Sequence, residues 1–319
     1  MLSLPRLARS SPAKSSGRIA QVAAQLTVRR NMTSSRAPWR DLFMEHVESM
    51  SPPEFVLSTI RRVPASSASF GINDGHGFCL TPRARTCVYR GMWASMPVNP
   101  KNEAELNPDI YEADLLTFTT DVRMDKMPEL WEDGAVAAAG GDSLMGNGAS
   151  TGSGGGGPVE AVFWAKEPMV QWRIRGKAIV VGPDIDESDG GRAAQKALMS
   201  RMRKKEGGSD DQWSFAKEVT AHFGNLSPGM RGSFKNPPPG TPVDSPVDDG
   251  LELGQKVTDL HDKIARNNFR VVVIVPYEVD RTDLSDPERG RRWIYRLATD
   301  QKTNPESTEG SWEKVEVWP

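Results

Sequence analysis

The sequence is poor in the residues that build metal centres and disulfide frameworks. Among 319 residues there are two cysteines and four histidines, and neither type falls into a metal-ligand spacing. No apolar run approaches the roughly 20 residues that a membrane-spanning helix requires. These absences argue against a zinc-finger protein, a disulfide-rich protein and a membrane protein.

Acidic residues are missing from the first 36 positions. Residues 1–36 hold seven arginines and lysines, and residues 18–30 place apolar side chains on one helical face. This composition is typical of a mitochondrial transit peptide, although a disordered tail, or translation that starts at Met32, would leave the same pattern. We therefore predict a leader and a mitochondrial or cytoplasmic location. Carboxylates outnumber cations in residues 37–319, which argues against nucleic acid as a partner.

The rest of the chain predicts more strands than helices. The predicted strands are residues 54–60, 83–93, 114–120, 159–164, 169–181, 269–276, 292–298 and 312–318. The predicted helices are residues 39–50, 123–132, 191–206, 209–223 and 251–267. Because strands and helices do not alternate along the chain, we predict a mainly β protein of the α+β class. The expected architecture is an antiparallel β-barrel with helices packed on it, in one domain.

Two segments of biased composition interrupt this domain. Residues 134–157 hold ten of the 29 glycines and are predicted to be a flexible insertion. Residues 236–246 are rich in proline and are predicted to be a long connection without regular structure. Within the first segment, residues 152–157 match the dinucleotide-binding pattern G-x-G-x-x-G. We reject that match, because no strand is expected before it and no helix after it.

A phosphate-binding site is predicted where residues 115–126 change from a strand to hydroxyls and cations. Thr119 and Thr120 can donate hydroxyl and backbone N–H groups, and Arg123 and Lys126 would share one face of a helix that begins there. These groups are typical ligands of phosphate. The alternative is that the cations face water, as most charged side chains do.

A second strand-like run, residues 85–90, has an arginine at each end. Burying Arg85 and Arg90 would be costly unless an anion or a polar ring system pairs with them. In contrast, the acidic run at residues 184–189 lacks the spacing of a calcium-binding loop. We interpret it as an acidic turn at the start of a helix.

Four segments, in this order, resemble the pyridoxamine-phosphate-oxidase-like flavoproteins, the split-barrel FMN-binding family. They are Arg-Thr-Cys-Val-Tyr-Arg at 85–90, Thr-Phe-Thr-Thr-Asp-Val-Arg-Met-Asp-Lys at 117–126, Val-Gln-Trp-Arg-Ile-Arg-Gly-Lys at 170–177 and Val-Glu-Val-Trp-Pro at 315–319. Residues 226–237 are similar to the cyanobacterial-type branch of the family. The resemblance covers about residues 38–319 apart from the glycine-rich segment.

The resemblance implies a split β-barrel that binds FMN, usually between the two subunits of a homodimer. It implies that the FMN-binding residues are Arg85, Arg90, Thr119, Thr120, Arg123, Lys126, Gln171, Ser227 and Arg292. Two positions depart from the family pattern. Val170 precedes Gln171 where the family has arginine, and Leu226 precedes Ser227 where the family has glutamine.

The segments that bind the vitamin substrate in true pyridoxamine-phosphate oxidases differ here. The family's Tyr-Phe-x-Ser-Arg-Pro is replaced by Val-Val-Gly-Pro-Asp at 180–184, and its Arg-x-His by Glu-Arg-Gly at 288–290. We therefore predict poor or no oxidation of pyridoxamine phosphate, which Asp184 and Asp186 would also repel if they face the pocket. Arg201 and Arg203 are nearby cations that could replace the missing ones.

Several functions are compatible with this pattern. The first is an FMN-dependent oxidoreductase with an unknown small-molecule substrate. The second is a non-catalytic FMN-binding or flavin-storage protein. A genuine pyridoxamine 5'-phosphate oxidase is a further alternative, and a protein without any ligand would leave the same cations as surface charge. No catalytic residue and no metal ligand is predicted.

Overall fold

The computed structural model describes residues 36–131, 151–205, 212–298 and 311–319. Residues 1–35 of the predicted leader, residues 134–150 of the glycine-rich segment and residues 209–211 of the helix predicted at 209–223 lie outside these ranges. Arg36, counted with the leader above, forms an ion pair of 2.7 Å with Glu112 and so packs with the folded domain.

The described residues form eleven strands and five α-helices. The strands are β1 Glu54–Pro64, β2 Ile72–Asn73, β3 Phe78–Val88, β4 Tyr111–Ala113, β5 Leu116–Asp121, β6 Gly154–Ala165, β7 Val170–Val181, β8 Met202–Lys204, β9 Phe269–Asp283, β10 Arg291–Ala298 and β11 Ser311–Val317. The helices are α1 Arg40–Glu48, α2 Asp189–Met199, α3 Phe215–Gly224, α4 Pro228–Gly232 and α5 Lys263–Asn268. Single 3₁₀ turns occur at Ala65–Ser67, Met127–Leu130 and Ser233–Lys235.

Nine of the strands form one antiparallel sheet, in the order β11-β10-β9-β7-β6-β1-β3-β2, with β5 attached to β9. The first half of β9 lies between β5 and β7, and its second half lies between β10 and β7. Strands β4 and β8 form a separate pair. The sheet branches at β9 and does not close among the described strands. The predicted class, mainly β with helices in a split-barrel-like fold, is confirmed.

Two apolar cores lie on opposite sides of the first half of β9. Val272 and Ile274 point into a core that α1 covers with Phe43, whereas Val271 and Val273 point into a core covered by α2, α3 and α5. Successive side chains of a strand alternate between faces, so a strand buried on both sides reads as an unbroken apolar run. That run was the strongest strand signal in the sequence.

The five predicted helices are all shorter in the structure, and three of them differ as follows. The helix expected at 251–267 contracts to α5, because Asp262 caps Ala265 with a hydrogen bond of 2.9 Å and Gly254 has a φ of +79°. The helix expected at 123–132 is only a 3₁₀ turn with a proline near its start. The helix expected at 191–206 ends at Met199, the last residue of α2.

The basic run at 201–205 was expected to lie among helical residues 191–206, but its centre forms β8, which pairs with β4. Arg203 contacts the buried carboxylate of Asp114 at 2.6 Å. This pairing joins residues about 90 positions apart. It therefore leaves no local pattern for sequence reasoning to find.

The end of the predicted glycine-rich insertion belongs to the sheet. Gly154, Gly155 and Gly156 have positive φ angles and begin β6, opposite the end of β7. A Cβ on Gly155 would lie 2.4 Å from the carbonyl oxygen of Ala178. Glycine is required here because the backbones approach so closely.

Candidate functional site

One large cleft, of about 1330 Å³, lies between the strands β3 and β5 and a proline-rich segment. Strand β3, the end of β5 and the turn at 121–126 form one wall. Residues 226–253 contribute the other wall. Six of the nine predicted FMN-binding residues line this cleft, namely Arg85, Arg90, Thr119, Thr120, Arg123 and Lys126. The structure thus brings together residues from two separate segments of the sequence.

Arg85 is fixed by a buried carboxylate. Its guanidinium contacts Glu129 at 2.6 Å and the hydroxyl of Thr59 at 2.5 Å. Glu129 also pairs with Arg61 at 2.8 Å, and its side chain is almost fully buried. A carboxylate already compensates the charge of Arg85. Arg85 can therefore orient a ligand through hydrogen bonds, but it adds little net charge to the cleft.

Arg123 joins the two walls of the cleft. It forms a paired hydrogen bond with Asp121, at 3.0 and 2.6 Å, and donates to the backbone carbonyls of Phe234 and Asn236 at 3.2 and 2.9 Å. Most of its donors are therefore used within the chain. Its main contribution in the structure is to hold the proline-rich wall against the end of β5.

Arg90 and Lys126 are the cations of the cleft that lack a carboxylate within 4 Å in the described part of the chain. Among the described residues, the Nε of Arg90 is buried without a hydrogen-bond partner, and the hydrogen bond of Lys126 Nζ is to the sulfur of Met124, at 2.8 Å. Burial lowers the pKa of both side chains. Buried, uncompensated cations are costly, so this arrangement suits an anionic ligand such as a phosphate group.

The two threonines contribute unequally. Thr120 is buried at the end of β5, and its hydroxyl lies 3.5 Å from the carbonyl oxygen of Asp121. Thr119 is half-buried, lines the cleft and has no side-chain hydrogen bond to any residue that the structure describes. The hydroxyl of Thr119 is therefore the one available to a ligand.

Three predicted residues do not line the cleft. Ser227 caps α4 by accepting a hydrogen bond from the backbone N–H of Met230 at 3.3 Å, at the margin of the cleft. Gln171 and Arg292 lie in one cross-strand row on the outer face of the sheet, with Thr282 between them. Arg292 pairs there with Asp280 at 2.7 Å. A single chain does not bring these two residues to the cleft.

The residues weighed for substrate binding also lie away from the cleft. Asp184 accepts hydrogen bonds from Ser153 and Ser188 at 2.8 and 2.7 Å, and neither Asp184 nor Asp186 is a lining residue. Repulsion of substrate by these carboxylates is therefore not supported. Arg203 pairs with Asp114, so it does not supply a free cation either.

Sequence reasoning missed Glu129 and the position of the proline-rich wall. Glu129 gains its role from strands β1 and β3, which are more than 40 residues away in the chain. The proline content indicated an irregular connection but not the surface on which it packs. Within the described ranges, no group of three His, Cys, Asp or Glu side chains could hold a metal ion, and no helix is long and apolar enough to cross a membrane.

The structure combines a branched antiparallel sheet with a cleft whose buried cations suit an anion. These features are typical of a protein that binds a phosphate-bearing cofactor. Residues 36–182 match the family model described as pyridoxamine 5'-phosphate oxidase, FMN-binding domain. This match supports the family that the sequence motifs predicted, and FMN is the cofactor named for the domain. The residues of the cleft fit this cofactor, because Arg90, Lys126 and Thr119 leave polar groups free for a phosphate ester.

Two solved structures show the range of similar proteins. One is a pyridoxamine 5'-phosphate oxidase-related, FMN-binding protein from Nostoc punctiforme, which is 18% identical, with 90% of this chain and 100% of that chain covered and a TM-score of 0.48. The other is PhzG from Burkholderia lata, solved with tetrahydrophenazine-1-carboxylic acid, which is 12% identical, with 95% and 92% covered and a TM-score of 0.37. None of the curated proteins matches the sequence.

Proposed function

We propose that this protein is an FMN-dependent oxidoreductase whose cleft holds the cofactor and a small-molecule substrate side by side. The observation that carries the proposal is the cleft itself. Its volume of about 1330 Å³ is larger than the roughly 300–1000 Å³ of typical small-molecule sites. A cofactor held at the cationic wall would leave the proline-rich wall free for a second molecule.

The roles of the residues follow from their contacts. Lys126, Arg90 and the hydroxyl of Thr119 would hold the phosphate and the polar edge of FMN, while Glu129 keeps Arg85 in one orientation. When bound, FMN supplies the hydride and electron transfer, and the protein supplies position and charge. The proline-rich wall would exclude water from the reacting groups.

The test separates an enzyme from a flavin store. Protein purified without added flavin should show the visible absorption bands of FMN. Under nitrogen, those bands should bleach with NADH, NADPH or a related reductant, and the rate should saturate with reductant concentration. Bound FMN that no reductant or acceptor turns over saturably would favour the storage protein. Protein without flavin, even after incubation with FMN, would contradict both functions.

A homodimer is part of the proposal. Gln171 and Arg292 share one row on the outer face of the sheet, and the same face carries the half-exposed side chains of Val56 and Trp164. Asp280, at the centre of this face, is buried between Arg173 and Arg292. In a dimer that uses this face, the partner subunit would supply Gln171 and Arg292 to the cleft, as the family resemblance implies.

Oxidation of pyridoxamine phosphate is the less favoured function. Such a substrate brings a second phosphate, and the two cations without carboxylate partners in the described cleft would already serve the phosphate and polar edge of FMN. We therefore expect little release of pyridoxal phosphate by the FMN-loaded protein in air. Turnover on the order of one per second, which is ordinary for enzymes, would restore this function.

We also propose that residues 1–36 direct the protein to mitochondria, since they combine seven cations with no acidic residue. A fluorescent protein that carries these residues at its N-terminus should be found in mitochondria. A version with the arginines and lysines replaced by glutamine should stay in the cytoplasm. Equal distribution of both proteins would instead support a cytoplasmic location.

A further inference from the structure

We infer that the half of the cleft lined by residues 236–253, here called the proline flap, binds an uncharged apolar ligand beside the flavin. The inference rests on the proposed function, because it concerns the molecule that exchanges electrons with FMN. It goes further by naming the chemical class of that molecule.

The flap presents a mainly apolar wall, in which eight of the twelve lining residues are apolar. Its apolar lining residues are Pro237, Pro238, Pro239, Pro242, Val243, Pro246, Val247 and Leu253. The exposed fractions of Leu253 and Val247 are 71% and 47%, although both side chains border the cleft. Apolar surface that lies exposed in a concave site gains free energy when an apolar ligand covers it.

One charged side chain of the flap lines the cleft, and it is acidic. Asp248 borders both this cleft and a smaller neighbouring one of about 550 Å³, and it has no ion-pair partner within 4 Å in the described residues. Proline residues also lack a backbone N–H, so the flap offers few donors to an anion. An anionic ligand on this wall would meet repulsion from Asp248, and the side-chain donors of the wall are limited to Asn236, Thr241 and Ser245.

The charge of the complete cleft leads to the same conclusion. The lining cations are Arg83, Arg85, Arg90, Arg123 and Lys126. The lining carboxylates are Asp121, Asp125 and Asp248, and Glu129 lies directly behind Arg85. Arg61, which pairs with both Glu129 and Asp125, also belongs to this group. Six cations against four carboxylates leave two positive charges, and a phosphate monoester carries about −1.5 to −2. A cleft loaded with FMN therefore has no surplus positive charge for a second anion.

Hydrogen bonds and an ion pair hold both ends of the flap against the rest of the domain. Arg123 donates to the carbonyl oxygens of Phe234 and Asn236, which fixes the start of the flap to the wall where the phosphate would bind. Lys235 adds an ion pair with Asp262 at 3.0 Å, and its carbonyl oxygen accepts a hydrogen bond from the backbone of Glu252. Both ends of the flap are thus anchored, so its apolar residues keep their position.

A matched pair of ligands tests the inference. Naphthalene-2-carboxamide and naphthalene-2-carboxylate have nearly the same shape but differ by one negative charge. We expect the amide to bind the FMN-loaded protein at least about tenfold more tightly at pH 7.5, as measured by calorimetry. It should also shift the visible absorption of the bound flavin. A carboxylate that binds as tightly as the amide, or no binding of either compound, would overturn the inference.

Substitutions locate the ligand. Leu253→Asp should weaken the amide several-fold without loss of FMN, because Leu253 borders the cleft. The matched control Leu106→Asp, at a leucine that is 43% exposed and does not line the cleft, should leave its affinity unchanged. Asp248→Asn should raise the affinity for naphthalene-2-carboxylate and leave the affinity for the amide unchanged. Unchanged affinities in Leu253→Asp would place the ligand elsewhere and overturn the inference.

The same preparation separates this inference from the proposed function. If the protein holds FMN and undergoes saturable reduction but prefers the carboxylate, the proposed function stands and the inference about the ligand is contradicted. If the protein binds no FMN, the proposed function itself is contradicted, before any ligand is added. The flavin content of each variant, measured from its visible spectrum, also shows whether the variant is folded.

Discussion

Lys126 illustrates how one residue can be assigned from both the sequence and the structure. The sequence placed it after paired threonines, where a phosphate would need a cation. The structure adds that its ammonium group is partly buried and has no carboxylate within 4 Å among the described residues. An anion from outside the chain would relieve the cost of that burial.

Removing this ammonium group should therefore affect FMN more than riboflavin. We expect Lys126→Ala to weaken FMN about 10- to 100-fold, because a hydrogen bond to a charged group contributes about 1.5–3 kcal/mol. Riboflavin, which has no phosphate, should bind as before. Titration of each flavin by fluorescence quenching measures both affinities, and Lys101→Ala, at an exposed site, is the control. If the affinities for the two flavins fell equally, the phosphate of FMN would not bind at Lys126.

His222 is a second residue whose environment defines a measurable effect. Its ring is buried in α3 and stacks on Trp93, with 5.8 Å between ring centroids, and its Nε2 has no hydrogen-bond partner in the described part of the chain. Burial lowers the pKa of His222 to about 3. The unfolded chain takes up a proton near pH 6.5, whereas the folded protein does not, so acid favours unfolding between these two values.

We expect His222→Gln to flatten the loss of stability on acidification. In the parent protein this residue should reduce the free energy of unfolding by at most about 1.4 kcal/mol per pH unit as the pH falls below 6.5. Urea denaturation at several pH values from 7 to 4 measures the slope, with His76→Gln at an exposed site as the control. Glu218, whose pKa burial raises, acts in the opposite direction in both proteins. Parallel curves for His222→Gln and the parent would contradict the expectation.

At the scale of single elements, local patterns of apolar residues predicted the secondary structure correctly where the same residues are buried in the fold. The apolar run of β9 and the alternation of β7 predicted strands because each side chain's burial depends on its own position in the pleat. They failed for residues 251–262 and for β8. There, a capping aspartate, a glycine and a partner strand far along the chain decided the conformation.

The start of β6 shows what composition alone cannot distinguish. A run of glycines indicates a flexible linker, yet Gly155 has a φ of +120° and lies against the backbone of β7. The same residues serve a close approach between strands. Only the neighbouring backbone reveals which of the two uses applies.

We expect Gly155→Ala to destabilise the protein by about 1–3 kcal/mol, because the new methyl group would combine an unfavourable φ with a clash against Ala178. Gly229→Ala in α4 is the matched control, since a methyl group there meets no atom within 4 Å. That variant should be neutral or slightly more stable. Thermal or urea unfolding measures both. Equal stability of the two variants would show that β6 can shift away from β7.

At the scale of the whole molecule, the position of Gln171 and Arg292 makes a prediction about assembly. These residues lie on the outer face of the sheet together with Trp164, which is 40% exposed. If the partner subunit supplies Gln171 and Arg292 to the cleft, the loss of the dimer must also weaken FMN. Assembly and cofactor binding are then one linked equilibrium.

We expect Trp164→Glu to convert a dimer to monomers and to lower the FMN content of the purified protein. A buried glutamate at an apolar contact would be left without a partner, which disfavours association. Analytical ultracentrifugation and the visible spectrum measure the two effects. Val98→Glu, at another half-exposed apolar residue, is the control. A monomeric parent protein, or a monomeric variant that retains all of its FMN, would contradict the linked equilibrium.

The sequence by itself determined most of the strands, the FMN-binding family and a group of cleft residues, because these depend on short patterns of burial and on hydroxyls and cations close together in the chain. The tertiary structure decided how those residues are used. In the structure, Glu129 forms an ion pair with Arg85, and Arg123 donates a hydrogen bond to the proline flap. Arg90 and Lys126 have no carboxylate partner among the described residues. Such pairings join distant segments, and charge compensation depends on distances in space that no local pattern of residues encodes.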